Sequence, residues 1–196
     1  MPSQIVWTKQ HTSVWESLQK NGRYVAKRRF VVRDLQEQAG LVMECYDWLV
    51  QHHPLATQKP ADADYPVWVT FTGEATMLPS PDTVILELEI PTELIAPIHI
   101  AKWGAILNYS YLPTDENDEK RHMNLLQNYR VSDAQAYMSR FYPQIKREIQ
   151  DSWKRLFDPT IDFHNNAAYG TVWELKYTWI RNVVAYDYTV HKTPQS

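Results

Sequence analysis

Strand-like patterns stand at the two ends of this chain, and helix-like patterns lie between them. Ile5 to Thr8 reads as a short strand, and Thr171 to Tyr177 and Ile180 to Val190 are rich in the β-branched and aromatic residues that strands favour. The regular alternation of strand and helix that builds a doubly wound parallel sheet is absent. The order therefore predicts an α+β fold, with a mixed or antiparallel sheet and helices between the N- and C-terminal strands.

Apolar residues spaced three and four apart predict the main helices. The clearest of these runs from Leu35 to His53. A second helical region begins near Ser132, with Pro143 at a position that favours a helix start. Its inner stripe consists of Ile145, Ile149, Trp153 and Leu156. A third helix is expected from Ile98 to Asn108.

Local signals predict the shorter elements. The segment Ser13 to Glu16 has the form of a capping box, so a helix should begin there and end near Asn21-Gly22. Tyr24 to Val32 alternates irregularly and predicts an edge strand, whereas Thr114 to Arg121 is highly charged and predicts a flexible insertion. The remaining predicted strands are Val67 to Thr72 and Val84 to Ile90.

Composition bounds the class of protein. A chain of 196 residues with 44% hydrophobic and 22% charged residues can bury a core of its own, which predicts one domain over residues 1–196. Cys45 is the only cysteine, so no internal disulfide forms and a reducing compartment, the cytoplasm, is expected. No apolar run reaches the length of a membrane-spanning helix, so the sequence predicts no membrane role.

Charge argues against a protein that coats nucleic acid, since the formal net charge is −3. The one compact basic cluster is Lys27-Arg28-Arg29 with Arg33. A phosphate site is one interpretation of this cluster, but its shortness favours a solvated strand edge or loop. The 8 tryptophans and 12 tyrosines exceed what a core alone usually needs, which favours a protein that binds something.

Familiar catalytic motifs are missing. Neither a glycine-rich phosphate loop nor a nucleophile elbow occurs, and the 7 histidines show no zinc-ligand spacing, so no metal site is predicted. Glu174 is the carboxylate of most interest, because it alternates with Trp173 and Leu175 on a predicted strand and therefore faces the other side of the sheet. Solvent on that side is the commoner arrangement for a lone glutamate, and a cleft is the alternative.

A series of segments, in order along nearly the whole chain, resembles the uncharacterised bacterial proteins of the DUF3841 family. The matching segments are Val6-Trp-Thr-Lys-Gln10, Tyr46-Asp-Trp-Leu-Val50, Tyr65-Pro-Val-Trp-Val69, Leu86-Glu-Leu-Glu-Ile-Pro91, Trp103 with Leu107-Asn108, Ser152-Trp-Lys-Arg-Leu-Phe-Asp158 and Thr171-Val-Trp-Glu-Leu-Lys176. The family carries no established activity, so the resemblance implies homology and leaves the function open.

A second resemblance is to ADP-ribosyltransferase-like domains. It lies in the order of the early strand Val6-Trp-Thr8, a helix ending at Asn21-Gly22, the strand Val84 to Ile90, and Glu174. This resemblance implies NAD as a cofactor and Glu174 as the catalytic carboxylate. The early strand departs from that superfamily, because it presents Thr8 and Gln10 where a His or Arg usually stands.

Two functions follow as hypotheses. The first is a nucleotide-binding enzyme, or a degenerate relative of one, in which Glu174 stabilises developing positive charge. Its expected cofactor-binding residues are Trp7, Thr8, Gln10, Tyr65 and Trp68. The second is a non-catalytic module, in phage defence or regulation, whose surplus Trp and Tyr residues bind a protein or nucleic-acid partner.

Overall fold

The structure, a computed structural model, describes residues 2–35, 39–161 and 168–186. Within these ranges the strands are β1 (Ser3–His11), β2 (Arg23–Tyr24), β3 (Val67–Thr70), β4 (Thr83–Pro91), β5 (Ala96–His99), β6 (Ala168–Val172), β7 (Leu175–Lys176) and β8 (Ile180–Ala185). The α-helices are α1 (Thr12–Asn21), α2 (Arg28–Leu35), α3 (Ala39–His52), α4 (Ile100–Leu107), α5 (Glu116–Tyr129), α6 (Asp133–Met138) and α7 (Pro143–Ser152). This mixture of helices and antiparallel strands confirms the predicted α+β class.

The described chain divides into two compact units. Unit 1 contains residues 2–34, 55–96 and 169–186, and unit 2 contains residues 35, 39–54, 97–161 and 168. The segments of the two units alternate along the chain, so neither unit is one continuous stretch of sequence. One domain over residues 1–196 therefore stays a prediction.

A six-stranded sheet arranges its strands in the order β5-β6-β3-β1-β4-β8, and β2 pairs with β7 in a separate ribbon. Strands β1 and β4 form the longest ladder, antiparallel over the full length of both. Val6 lies opposite Leu88, and Thr8 lies opposite Leu86, and all four side chains are buried. Alternate residues of β1 therefore face the core of unit 1.

Unit 2 has a helical, aromatic core. The rings of Tyr137 and Trp153 are buried and stack with 5.2 Å between their centroids, and Trp48 meets Trp153 edge-on at 5.5 Å. The predicted inner stripe is confirmed by the burial of Ile145, Ile149, Trp153 and Leu156. None of the helices in the described ranges is long and apolar enough to cross a membrane.

The start of α1 differs from the predicted capping box. The helix begins at Thr12, and its cap is His11, whose Nδ1 accepts the backbone amide of Ser13 at 3.2 Å. An imidazole therefore satisfies an amide at the helix start, the task expected of the Ser13 hydroxyl. The predicted end is confirmed, because Gly22 adopts a left-handed conformation with φ of 73° and closes the last turn.

The edge strand predicted from Tyr24 to Val32 is wrong beyond its first residue. The chain forms the short β2 and then turns into α2 at Arg28. The carboxylate of Asp64 accepts the backbone amide of Arg28 at 2.8 Å and caps the helix from a distant part of the chain. Because the capping residue is distant in sequence, the pattern within residues 24–32 alone wrongly predicts a strand.

The flexible insertion predicted from Thr114 to Arg121 is also wrong, because most of this segment starts α5. Asp115 caps the helix by accepting the amides of Asn117 and Asp118 at 2.8 and 3.0 Å. The acidic residues of the first turn lie where the helix dipole favours negative charge. The charged segment therefore forms the beginning of a helix.

Most of the other predicted elements are confirmed with shifted ends. The helix expected from Leu35 to His53 is present as α3, and residues 36–38 fall outside the described residues. Strands β3, β4 and β8 and helices α4, α6 and α7 lie within or close to their predicted segments, with residues 187–190 again outside the described residues. The strand predicted from Thr171 to Tyr177 is wrong in its middle, because β6 ends at Val172 in the six-stranded sheet and β7 begins at Leu175 in the separate ribbon. Glu174 therefore lies between two strands and not on one. Strand β5 was not expected, since it is only four residues long and contains Pro97.

Candidate functional site

A cavity of about 930 Å³ opens in unit 1, bounded by the end of β1, helix α1 and the segment from β2 to the start of α2. Its wall is formed by Lys9, Gln10, His11, Ser13, Val14, Ser17, Asn21, Arg23, Tyr24, Val25, Lys27, Arg29, Phe30, Asp62 and Thr83. A hollow of this size is at the upper end of the range found for small-molecule sites. We refer to it as the unit 1 cavity.

Helix α1 contributes a polar wall. Ser13, Ser17 and Asn21 are four residues apart, so they lie on the same side of the helix. The Asn21 side-chain amide donates to the Ser17 hydroxyl at 3.1 Å. Hydroxyl and amide groups in this arrangement can exchange hydrogen bonds with a ligand that carries hydroxyl groups.

Two lysines of the cavity have neutral hydrogen-bond partners. The Lys9 ammonium donates to the Leu78 carbonyl at 2.8 Å, and the Lys27 ammonium donates to the Asp62 carbonyl. A carbonyl oxygen holds an ammonium group in place without neutralising its charge. Both side chains therefore bring positive charge to the cavity in a fixed position.

Arg29 and Phe30 form a cationic and aromatic corner. The Arg29 guanidinium lies over the Phe30 ring, 4.8 Å from its centroid, in a cation–π arrangement. Arg29 is exposed, and Phe30 and Tyr24 are half-buried. The cavity thus combines a cation with two aromatic rings at its rim.

Arg23 is clamped between two carboxylates. It reaches Asp62 at 3.1 Å and Glu174 at 2.9 Å, and Glu174 also pairs with Lys176 at 3.1 Å. Partial desolvation opposes ionisation of Asp62, but the hydrogen bond and charge of Arg23 hold the pKa of that carboxyl below its usual value. The guanidinium is consequently held in one orientation at the cavity wall.

The cavity is positive although the chain is negative. Among the described residues of its wall, four side chains are basic (Lys9, Arg23, Lys27 and Arg29) and one is acidic (Asp62), a formal balance of +3 with His11 counted as neutral. Glu174, beside Arg23, offsets one of these charges. The whole chain has a formal net charge of −3. An anionic ligand is the chemical class that this wall favours.

Thr8 and Gln10, two of the residues predicted to bind a cofactor, share one face of β1. Gln10 lines the cavity, and its side-chain amide donates to the Thr8 hydroxyl at 2.7 Å. Thr8 is buried, and its hydroxyl donates to the Trp68 carbonyl at 2.7 Å. Thr8 therefore orients Gln10, and Gln10 is the one that reaches the cavity.

Trp7 and Trp68 point to the other face of the sheet. Trp7 neighbours Thr8 on β1 and so faces the opposite side, where its ring lies beside Gly73. Trp7 is paired with Thr70 across β1 and β3, so Trp68, two residues before Thr70, shares the face of Trp7. These two rings and the pair of Thr8 and Gln10 do not share one surface.

Glu174 meets the cavity wall through Arg23, whereas Tyr65 bonds Arg28, which is not among the wall residues. The Glu174 side chain is 21% exposed and meets the cavity through Arg23. Tyr65 is buried, and its hydroxyl accepts a hydrogen bond from the Arg28 guanidinium at 2.6 Å. Glu174 as a catalytic carboxylate and Tyr65 as a cofactor ligand stay predictions.

The basic cluster at Lys27 to Arg29 contributes two side chains to the cavity wall. Its shortness favoured a solvated edge, whereas Lys27 and Arg29 line the cavity. The signal that pointed to it was the cluster itself, and the recurrence of Ser13, Ser17 and Asn21 every four residues was a second one. Among the described residues, no group of three or more His, Cys, Asp or Glu side chains is placed to hold a metal ion.

Comparison with known proteins identifies a family and no closer relative. No curated protein and no solved structure gives a significant match to the chain. The sequence matches the family described as Domain of unknown function (DUF3841) over residues 5–181, which is most of its 196 residues. The chain therefore belongs to the DUF3841 family.

Proposed function

We propose that the unit 1 cavity binds a phosphate-bearing nucleotide. The observation that carries the proposal is the grouping of Lys9, Arg23, Lys27 and Arg29 around one cavity that also has aromatic and hydroxyl-bearing walls. Arginine and lysine are the side chains that bind phosphate most strongly, and hydrogen bonds to a charged partner contribute more than neutral ones. NAD, which the sequence resemblance implied, is one member of this ligand class.

The two other parts of a nucleotide have counterparts in the wall. Tyr24 and Phe30 offer ring faces on which a base can stack, an interaction that tolerates every base. Ser17, Asn21 and Gln10 offer donors and acceptors for the hydroxyls of a ribose.

In this proposal Glu174 is a positioning residue for Arg23. Its carboxylate lies 2.9 Å from the guanidinium and 3.1 Å from the Lys176 ammonium, so two cations already engage it. Removing its charge with Glu174→Gln should loosen Arg23 and lower nucleotide affinity. Lys176→Gln is the matched control, because it removes the other partner of Glu174 and leaves the contact with Arg23 in place.

Isothermal titration calorimetry tests the binding. AMP, ADP and NAD should bind the purified chain, and uncharged adenosine should bind more weakly. Arg29→Ala should reduce affinity by about tenfold, the worth of one charge-assisted hydrogen bond. Arg140→Ala is the control, because Arg140 is an exposed arginine of unit 2 and its loss changes the net charge equally. The proposal would be refuted by an equal loss of affinity in Arg29→Ala and Arg140→Ala. It would also be refuted if none of the nucleotides bound at millimolar concentration.

The wild-type protein and its Glu174→Gln variant also test whether the site is catalytic. Incubation with NAD, followed by mass spectrometry of released nicotinamide, distinguishes binding from cleavage of the glycosidic bond. Turnover at saturating NAD that Glu174→Gln abolishes, while the variant still binds NAD in calorimetry, supports a catalytic carboxylate. Turnover in neither protein, or equal turnover in both, rejects the catalytic role and leaves a binding protein.

A second candidate function, the non-catalytic partner-binding module, is favoured by a different surface. In unit 2, Phe141 is 88% exposed and Met138 is 64% exposed, and Arg140 between them is also exposed. Aromatic residues, Met and Arg are enriched where proteins bind each other. A pull-down from native lysate after nucleic-acid digestion, with Phe141→Ser for comparison, tests it. Equal retention by both proteins, or retention of no partner, counts against this function.

A further inference from the structure

Asp62 is the acidic side chain among the described residues of the cavity wall, and Arg23 holds it in place. The two terminal nitrogens of Arg23 donate to the two carboxylate oxygens of Asp62 at 3.1 and 3.3 Å. The Nε of Arg23 donates to Glu174 at 3.0 Å, so the guanidinium is itself anchored. Pairing at two points fixes the orientation of a carboxylate as well as its position. Asp62 is therefore a fixed group of the wall, although its side chain is 52% exposed.

The Asp62 carboxylate can accept a further hydrogen bond. A carboxylate has about four lone-pair sites, of which Arg23 occupies two, and the backbone amide of Asp62 also bonds the group. Desolvation raises the pKa of this carboxyl, but the hydrogen bond and charge of Arg23 lower it below its usual value. At neutral pH the group is ionised, so it accepts hydrogen bonds and donates none.

The charges of the cavity select the kind of donor that Asp62 can meet. An ionised phosphate has no proton to donate, and the negative charge of the carboxylate repels it. A cationic group is repelled by Lys9, Lys27 and Arg29 in the same wall. Neutral donors remain, and in a nucleotide these are the hydroxyls of the sugar and the amines of some bases.

The position of Asp62 favours the sugar. Asn21 lines the cavity and stands two residues before Arg23 in the chain, so the polar wall of α1 leads to the arginine that holds Asp62. The Asn21 amide already donates to the Ser17 hydroxyl at 3.1 Å, in the part of the wall that the proposed function assigns to the ribose. The carboxylate therefore lies at the end of the cavity where hydroxyl groups are expected.

We infer that Asp62 accepts a hydrogen bond from the sugar hydroxyls of the ligand, so that the unit 1 cavity selects nucleotides with an unmodified ribose. This inference rests on the proposed nucleotide binding and assigns the residue that determines its sugar specificity. A buried acceptor rejects an analogue that lacks the hydroxyl very strongly, because the acceptor is then left without a partner. Water can replace the missing hydroxyl at the half-exposed Asp62, so the expected discrimination is only about tenfold.

Calorimetric titration of the full chain with AMP and with 2′,3′-dideoxy-AMP tests the inference, and the wild-type comparison needs no variant. We expect AMP to bind about tenfold more tightly. In Asp62→Ala this advantage should largely disappear. The advantage is a ratio of two affinities in the same protein, so a general loss of affinity through a looser Arg23 cancels. Asp62→Asn, which keeps the shape and removes the charge, takes its place if circular dichroism shows that Asp62→Ala does not fold.

Glu16→Ala is the matched control, because Glu16 is an exposed acidic residue of α1 that does not line the cavity. It removes the same charge from unit 1 and should keep the tenfold advantage of AMP.

The outcomes separate this inference from the function on which it rests. An advantage of AMP that is lost in Asp62→Ala and kept in Glu16→Ala supports the inference. Equal affinity for the two nucleotides in the wild type overturns it and leaves nucleotide binding standing. An advantage that Asp62→Ala leaves unchanged, or that Glu16→Ala reduces equally, overturns it in the same way. Binding of neither nucleotide overturns both the inference and the proposed function.

Discussion

Raising the pH above 6.5 should weaken unit 2, because the fold holds the imidazole of His122 in its protonated form. His122 is 3% exposed, and each ring nitrogen faces a carboxylate. Nε2 lies 2.6 Å from Asp133, and Nδ1 lies 3.1 Å from Glu148. Only the doubly protonated ring can donate to both partners at once. Arg121, which also reaches Glu148 at 2.7 Å, and Tyr111, which stacks on the ring at 3.9 Å, complete the surroundings.

The direction of this pH dependence follows from the opposing effects of burial and charge on the pKa of His122. Burial lowers the pKa of His122, but the hydrogen bonds and charges of Asp133 and Glu148 outweigh it, so the pKa is raised above its usual value. The folded protein then binds one more proton than the unfolded chain between the unfolded value near 6.5 and the folded pKa. Stability is complete below pH 6.5 and is lost as the pH rises through the folded pKa. Within that window the free energy of unfolding should fall by about 1.4 kcal/mol per pH unit.

Urea unfolding followed by circular dichroism at half-unit steps from pH 6 to 9 measures this slope. An NMR titration of the His122 ring gives its folded pKa independently. His122→Asn should remove the slope, and Asp133→Asn should narrow the window by taking away the closer carboxylate. His11→Asn is the control, since His11 is exposed and asparagine is a good helix cap.

Two results would refute the reasoning. One is a wild-type stability that does not change between pH 6.5 and the pKa found by NMR. The other is a slope that persists unchanged in His122→Asn. Either result means that the two carboxylates do not bind an imidazolium in the folded state.

Further predictions concern buried groups and two glycines. Cys45 is buried, and burial raises the pKa of its thiol to about 12, so a thiol reagent should modify it at pH 8 only as fast as the protein unfolds. Burial lowers the pKa of His53 to about 4, so its NMR titration should show a neutral ring at pH 5.5, and stability should fall as the pH drops from 6.5 toward 4. Gly170→Ala should cost about 1–3 kcal/mol in urea unfolding, because the new methyl group would lie 2.7 Å from the Ile95 side chain. Gly104→Ala, in α4 with open space around it, should instead stabilise by about 0.5–1 kcal/mol, and the reverse order would contradict the packing.

Most of the regular elements could be predicted because their signals lie within the elements themselves. The stripe of Ile145, Ile149, Trp153 and Leu156 and the alternation in β4 each need only neighbouring residues to be read. The end of α1 at Gly22 is equally local, since the conformation of one glycine closes the turn.

Predictions failed where a partner came from elsewhere in the chain. Asp64 caps α2 at Arg28 across a separation of 36 residues, and no pattern within residues 24–32 carries that information. The start of α5 depends on Asp115, a local signal that the density of charge around it obscured. A run of charged residues predicts exposure to solvent whether it forms a loop or the first turn of a helix.

The sequence by itself determined the α+β class, the main helices and the membership in a family, because repeated spacing and ordered segments survive without coordinates. Only the tertiary structure decided that Lys9, Arg23, Lys27 and Arg29 surround one cavity, and that Trp7 and Trp68 face away from Thr8 and Gln10. The physical reason is that a cavity is made by elements meeting in space, whereas periodicity records only how each element buries its own side chains.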